Sequence, residues 1–185
     1  MKRLMTLILA LVTLALLTSA ALAGKGKVRI AYVEWDCAVA STNVVKAVLE
    51  DKMGYEVEIL PVAAAAMWQA VGSGDVDGMV TAWLPATHGD YLKKVEGKAE
   101  NLGPIVGGAK LGWAVPSYVS IDSIADLNAN ADKFDGKIFG IDPGAGLMKL
   151  SEKAVKEYGL DKMTLMEGSG ATMTAALADA VKHNK

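Results

Sequence analysis

Cysteine and histidine are scarce in this chain of 185 residues, and their scarcity excludes several kinds of site. Cys37 is the only cysteine, so the fold holds no internal disulfide. The two histidines, His88 and His183, share no metal-ligand spacing with each other or with Cys37, and we expect neither a metal ion nor a cofactor. A hydrolase would need Cys37 at a helix start with His88 as its base, and no third group to orient that pair is evident. An enzyme is therefore the weakest of the alternatives.

Neither sign of charge dominates, since 19 Lys and Arg stand against 21 Asp and Glu, a net charge of −2. Two of the basic residues, Lys2 and Arg3, lie at the N-terminus, so the rest of the chain is more acidic. This balance does not favour a basic patch, and we expect no nucleic-acid partner.

An uncharged apolar run opens the chain at residues 4–17, behind Lys2 and Arg3. The run is shorter than the roughly 20 residues that a membrane-spanning helix needs. The small residues "ALA" at 21–23 follow it, and this combination is typical of a secretory signal peptide. We therefore expect residues 1–23 to be cleaved and the remainder to be a soluble exported protein.

Apolar residues switch repeatedly between strand and helix spacing along the rest of the chain. Strands are predicted at 28–33, 55–62, 76–82, 109–115, 137–141 and 162–167, and helices at 36–53, 63–71, 123–128, 147–158 and 172–183. This alternation predicts an α/β fold with parallel βαβ sheets. A stretch rich in Gly at 97–108 interrupts it, so we expect two lobes, at 24–107 and 108–185.

The two halves also resemble each other in outline. The segment "VRIAYVEWDCAVASTNVVKAVLEDKMGYEVEIL" has a counterpart in "KIFGIDPGAGLMKLSEKAVKEYGLDKMTLM". The first half then continues into a strand that ends at Trp83, whereas the second half stops at Lys185. Real symmetry would leave the second lobe one strand short. All βαβ units look alike at this level, however, and the sequence alone does not choose between these interpretations.

Three loops follow a predicted strand and open a helix, at residues 36–39, 143–146 and 168–171. The free N–H groups and the positive end of a helix dipole favour a carboxylate or a phosphate at such positions. In a parallel sheet these loops gather at the carboxyl ends of the strands, where ligands bind. Every helix has such an end, so each loop alone is weak evidence.

Tryptophan is unusually frequent relative to phenylalanine, with four Trp against two Phe. Trp68 lies mid-helix and Trp113 lies inside a predicted strand, and packing in the core is the favoured interpretation of both. Trp35 and Trp83 end predicted strands, where an indole face can meet a quaternary ammonium group. Pro85 follows Trp83 and restricts the backbone beside it.

Four segments together resemble a known family: "RIAYVEWDCAVASTNVVKAVLE", "MWQAVGSGDVDGMVTAWLPATHGDY", "GWAVPSYVSIDSIADL" and "GIDPGAGLMKLSEKAVKEYGL". They look like the glycine betaine and proline betaine binding proteins of bacterial ABC importers. The resemblance extends over residues 27–185 almost without interruption, and "D-x-M-V-x-A-W-L-P-x-T-H" is its most specific part. It implies a two-lobed periplasmic-binding-protein fold that closes over its ligand and performs no chemistry.

The resemblance also implies roles for individual residues. Trp83 would form one wall of an aromatic cage around the trimethylammonium group, with Trp35 lining the same cleft. The backbone N–H groups of Ala38 and Val39 would receive the carboxylate of the betaine. The other candidates are His88, at the end of the specific motif, and the loop residues Pro143, Gly144 and Ala145, where some relatives carry a cage Trp.

The implied partners are a betaine-type ligand and the membrane permease of an ABC transporter, with the binding protein acting as a monomer. A choline or carnitine ligand is the alternative within the same class. Relatives continue past the segment like "ALADAVKHNK" into a strand and a Gly-Trp-x-Pro motif, which this sequence lacks. We therefore expect an incomplete second lobe and return segment, and a truncated chain that does not bind is a further alternative.

Overall fold

A computed structural model of the protein describes residues 25–184, and the predicted signal peptide lies outside them. The strands are β1 (Lys27–Tyr32), β2 (Glu56–Pro61), β3 (Lys137–Phe139) and β4 (Thr164–Met166). The helices are α1 (Asp36–Asp51), α2 (Ala64–Ser73), α3 (Gly89–Lys94), α4 (Gly146–Glu157) and α5 (Gly170–Lys182). Two 3₁₀ segments, Ile124–Asp126 and Asn128–Phe134, precede β3.

The first sheet pairs β1 with β2 in parallel, in a register that runs from Lys27 opposite Glu56 to Tyr32 opposite Pro61. Helix α1 connects the two strands, and α2 follows β2 and is capped at its C-terminus by Gly74, whose φ of +79° suits a residue without Cβ. Side chains from these elements and from the segments that follow them form one apolar cluster of buried residues: Ala31, Val33, Ala38, Ala64, Met67, Trp68, Val76 and Val95.

The second sheet pairs β3 with β4 in parallel, from Lys137 opposite Thr164 to Phe139 opposite Met166. Helix α4 connects these strands, so the two sheets repeat the same strand–helix–strand unit. Two clusters of buried residues surround this unit: Leu127, Ala131, Leu160 and Met163, and then Ile141, Ala145 and Met148. The α/β class with parallel sheets is therefore confirmed.

The strand predicted at 76–82 is wrong, because only a single bridge between Ile30 and Gly78 forms there. The carboxylate of Asp77 accepts a hydrogen bond from the backbone N–H of Arg29 at 2.7 Å. That donor would otherwise be available to a neighbouring strand, so the side chain replaces part of the backbone ladder.

The strand predicted at 109–115 is also wrong, because these residues form no regular structure and pair with no strand in the described part of the chain. Gly108 and Gly112 weaken strand formation here, and the residues from 101 to 112 are all exposed. The short helix predicted at 123–128 is replaced by the two 3₁₀ segments, with Ser123 capping the first through its hydroxyl.

No helix within residues 25–184 is long and apolar enough to cross a membrane. The division into lobes at residue 107 stays a prediction. Several contacts nevertheless join the two predicted lobes, and they all involve residues 142–149 and residues near Trp35 and His88.

Candidate functional site

Trp35 lies at the carboxyl end of the first sheet, three residues after β1 and directly before α1. Its indole Nε1–H donates a hydrogen bond to Oδ2 of Asp142 at 2.9 Å. Its ring centroid lies 6.0 Å from that of His88, with 32° between the planes. The half-buried indole therefore lies in contact with both halves of the chain.

A cleft of about 270 Å³ opens beside this indole. Its lining residues are Val33, Glu34, Trp35, Pro61, Val62, Ala63, Ala64, Asp142 and Ala145. Of the residues predicted from the sequence, only Trp35 and Ala145 line this cleft. The prediction missed Asp142, which lies three residues after β3 just as Trp35 lies three residues after β1. Its place at a strand's carboxyl end was the signal that could have identified it.

His88 lies in the core behind Trp35 rather than in the cleft, with 0% of its surface exposed. Its Nδ1 accepts a hydrogen bond from the backbone N–H of Trp83 at 3.1 Å, so Nε2 carries the proton of the neutral ring. Nε2 has no hydrogen-bond partner within residues 25–184, and the rings of Trp35, Trp68 and Tyr91 surround it. Burial lowers the pKa of His88 from 6.5 to about 4, so the ring is neutral at pH 7.

Trp83 is half-buried, and its backbone is fixed by the residues that follow it. Besides the bond to Nδ1 of His88, its carbonyl accepts hydrogen bonds from the His88 N–H at 2.9 Å and from the Thr87 hydroxyl at 3.1 Å. The Leu84–Pro85 peptide bond within this turn is cis. Trp83 is not among the residues that line the cleft beside Trp35, but His88 contacts both tryptophans.

The backbone N–H groups that are free at the start of α1 belong to residues slightly earlier in the chain than the sequence predicted. The N–H of Val39 already donates to the carbonyl of Trp35 at 2.8 Å, so it is not free for a ligand. The first N–H groups of a helix have no intrahelical partner, which here means Asp36, Cys37 and Ala38. Ala38 itself is fully buried, whereas Cys37 is exposed.

The loop before α4 packs against the first half of the chain. Pro143 and Gly144 are exposed, and the Gly144 carbonyl accepts a hydrogen bond from the Tyr91 hydroxyl at 2.8 Å. Ala145 is only 2% exposed and is packed in the same cluster as Ile141, with Trp35 against it. The loop thus contacts Trp35 through an apolar side chain and through the Asp142 carboxylate.

The loop before α5 and the tryptophans Trp68 and Trp113 are engaged in contacts within the protein. The Ser169 hydroxyl accepts from the N–H of Thr172 and forms a capping box that satisfies the start of α5. Trp68 is buried at 3% exposure, as predicted, and Trp113 is half-buried with its indole N–H bonded to the Ser151 hydroxyl at 2.9 Å. Within residues 25–184, no group of three or more His, Cys, Asp or Glu side chains could hold a metal ion.

Comparison with known proteins identifies the family of this arrangement. The family model described as the substrate binding domain of ABC-type glycine betaine transport systems matches residues 26–185. Among curated proteins, the glycine betaine/carnitine transport binding protein GbuC of Listeria monocytogenes is 46% identical over 105 residues, which are 56% of this chain and 35% of that protein.

Two crystal structures have similar folds. The glycine betaine/L-proline-binding protein ProX of Borrelia burgdorferi superposes with a TM-score of 0.81 at 41% identity, over 86% of this chain and 60% of that chain. Lactococcal OpuAC, in its closed conformation complexed with glycine betaine, gives a TM-score of 0.80 at 40% identity, over 87% of this chain and 62% of that chain.

The chain therefore spans about 60% of the length of these two solved relatives and about a third of GbuC. Their agreement confirms the periplasmic-binding-protein fold for the part that is covered. The matched family consists of ligand-binding proteins of transporters and not of enzymes, so the hydrolase alternative is excluded. The chain belongs to the family of substrate-binding domains of ABC-type glycine betaine transport systems.

Proposed function

We propose that this protein binds glycine betaine, or a closely related quaternary ammonium osmolyte, outside the cytoplasm and delivers it to the permease of an ABC importer. The observation that carries this proposal is the fixed indole of Trp35, which lines a cleft at the carboxyl end of the first sheet. Family membership supports it, since the matched model describes betaine-binding domains.

The cleft suits a cation that cannot form hydrogen bonds. An indole face attracts a quaternary ammonium group electrostatically, and the attraction grows when water is excluded. Trp35 provides one wall, and we assign the second wall to Trp83 of the same lobe, whose backbone N–H bonds to the His88 ring that contacts Trp35. Asp142 and Glu34 lie at the same cleft, so their carboxylates add a negative potential that favours a cationic group.

The carboxylate of the betaine would meet the first turn of α1. Its free N–H groups and the positive end of the helix dipole favour an anion there. Because the Val39 N–H already donates to the Trp35 carbonyl and Ala38 is fully buried, we assign this role to the N–H group of the exposed Cys37. Pro143, Gly144 and Ala145 would form the other side of the cleft, as part of a lobe that extends from residue 108.

Closure of two lobes, at 24–107 and 108–185, would enclose the ligand without any chemical step. Delivery then requires a membrane permease that recognises the closed form, and a periplasmic monomer is the form we expect to act. His88 contributes indirectly, since its buried ring contacts Trp35 and accepts the backbone N–H of Trp83.

Calorimetric titration of glycine betaine into the wild-type protein and Trp83→Ala tests the proposal. Loss of one cage wall is expected to weaken binding about thirtyfold, because a desolvated cation–π contact contributes about 2 kcal/mol. Trp113→Phe is the matched control, since Trp113 packs near Ser151 and away from the cleft, and its affinity should equal that of the wild type. No saturable heat from wild-type protein with a folded circular dichroism spectrum would contradict the proposal.

Titration with choline distinguishes the two ends of the ligand. Choline has the trimethylammonium group but no carboxylate, so it is expected to bind at least tenfold more weakly than glycine betaine. Equal affinities would rule out the carboxylate site at the start of α1. Tighter binding of choline or carnitine would assign the protein to that alternative ligand.

A further inference from the structure

The indole of Trp35 is held from two sides, by groups that are far apart in the sequence. On one side it packs against the cluster that contains Ala38 and Trp68, and on the other against the cluster of Ile141, Ala145 and Met148. The hydrogen bond to Asp142 spans 107 positions of the chain. No other side-chain pair among residues 25–184 links an aromatic ring that lines the cleft to a carboxylate that lines it.

The backbone that carries Asp142 is itself fixed by hydrogen bonds. The Ala145 N–H donates to the Asp142 carbonyl at 3.1 Å, and the Gly168 N–H donates to the Ile141 carbonyl at 3.1 Å. The Ile141 N–H points at the Met148 sulfur at 3.2 Å. A rigid loop thus presents the acceptor, which can select one orientation of the indole.

A hydrogen bond to a charged acceptor is stronger than one between neutral groups, and a half-buried indole N–H without a partner is costly. The orientation in which Nε1 meets Asp142 is therefore favoured over other rotamers of Trp35. Since Trp35 follows β1 and Asp142 follows β3, this bond forms only when the 142–146 loop lies against the first sheet.

We propose that Asp142 is a positioning residue of the binding site, which fixes the indole of Trp35 as a cage wall and makes that wall depend on docking of the 142–146 loop. The affinity part rests on the proposed function, in which Trp35 faces the quaternary ammonium group. The positioning part does not, because the bond forms between protein groups alone.

The positioning part is tested without ligand by ¹H–¹⁵N spectra of the four tryptophan indoles. Trp35→Phe identifies the Trp35 signal. Asp142→Ala is expected to move that signal upfield towards an unbonded indole, whereas Asp142→Asn retains an oxygen acceptor and should restore most of the shift. Glu34→Ala removes a carboxylate from the same cleft without touching the bond, and it should leave the signal in place. A Trp35 signal that is unmoved in Asp142→Ala overturns the proposal.

The affinity part is tested by titrating glycine betaine into the same variants. Asp142→Ala is expected to bind about tenfold more weakly, whereas Asp142→Asn, which loses the charge but keeps the oxygen acceptor, should lose clearly less affinity. If Asp142→Asn and Glu34→Ala instead lose as much affinity as Asp142→Ala, the carboxylate acts only through its charge, and the positioning role in binding is overturned. Absence of binding in the wild type would overturn the proposed function, while the indole spectra would still decide the positioning.

Discussion

The two ring nitrogens of His88 have opposite environments, and this difference has a measurable consequence. Nδ1 accepts a backbone N–H, whereas Nε2 faces aromatic rings with no acceptor oxygen or nitrogen in the described part of the chain. Protonation of Nδ1 would break the bond to Trp83 and leave a buried charge without a partner. The ring therefore stabilises the fold only in its neutral form.

We predict that acid destabilises the protein partly through His88. Its pKa is about 4 in the folded state and near 6.5 when unfolded, so the unfolded chain binds more protons between these values. Stability should fall as the pH is lowered from about 6.5 to about 4, by on the order of 2 kcal/mol. Urea unfolding at pH 7 and pH 4.5 measures this loss. His88→Asn, which can still accept the Trp83 N–H but does not titrate, should show a smaller loss, and an equal loss would contradict the assignment.

Gly146, the first residue of α4, lies so close to Thr87 that adding a Cβ atom should affect stability. A Cβ at this position would lie 2.2 Å from the Thr87 carbonyl oxygen and 2.4 Å from the Thr87 Cβ, which the present packing cannot accommodate. Gly146→Ala is therefore expected to lower the free energy of unfolding by about 1–3 kcal/mol. Gly170→Ala is the matched control, because Gly170 also begins a helix and its Cβ would meet nothing within 4 Å. Equal effects of the two substitutions would show that the contact with Thr87 is not rigid.

At the level of elements, the paired strands and four of the five helices were predictable from the sequence, whereas helix α3 (Gly89–Lys94) was not predicted although it packs against both halves. Strands β1 and β3 and helices α1, α2 and α4 have clear apolar periodicity, and their ends deviate from the prediction by only a few residues. The two wrongly predicted strands, at 76–82 and 109–115, are apolar like the strands that do form. The sequence does not reveal whether a neighbouring strand is available to pair with them. Strand formation depends on that neighbour, whereas a helix pairs its own backbone.

The candidate site was predictable to a similar extent. Trp35 and Ala145 were identified from strand ends and loops, because the carboxyl ends of parallel strands gather at one edge. The burial of His88 and the bond between Trp35 and Asp142 were not predictable, since they depend on how two distant segments meet. The occupied N–H of Val39 depends on which residue starts α1, and helix ends are the least certain feature of a sequence.

Helix α3 provides a prediction at this scale, since it links the two halves although it is only six residues long. The Tyr91 ring stacks on the Trp68 ring with 6.3 Å between the centroids, and the Tyr91 hydroxyl donates a hydrogen bond to the Gly144 carbonyl. The neighbouring Asp90 forms an ion pair with Lys149, which lowers the pKa of Asp90. Tyr91→Phe keeps the stacking and removes the hydroxyl, so it should lower the free energy of unfolding by about 0.5–1.5 kcal/mol in urea. Tyr158→Phe, in which an exposed ring loses its hydroxyl, should have no measurable effect. Equal effects would show that the Gly144 contact contributes nothing.

Over the whole molecule, exposed apolar side chains concentrate in the irregular segment 101–115. Leu102, Val106 and Ile105 are 90%, 74% and 64% exposed, and they lie close together in the sequence. Scattered exposed apolar residues are common on soluble proteins, but a contiguous group favours association. The segment also forms no helix or strand, so no backbone ladder fixes these side chains.

We therefore predict that self-association of the protein depends on this segment. The double substitution Ile105→Glu and Val106→Glu should reduce light scattering and dye binding at high protein concentration several-fold, while leaving the urea midpoint unchanged, because neither side chain is packed in the core. Val44→Glu with Val48→Glu is the matched control, since it adds the same charge at exposed positions of α1. If both double variants reduce scattering equally, net charge and not the segment governs association. If only the first does, Ile105 and Val106 lie on the surface through which copies meet.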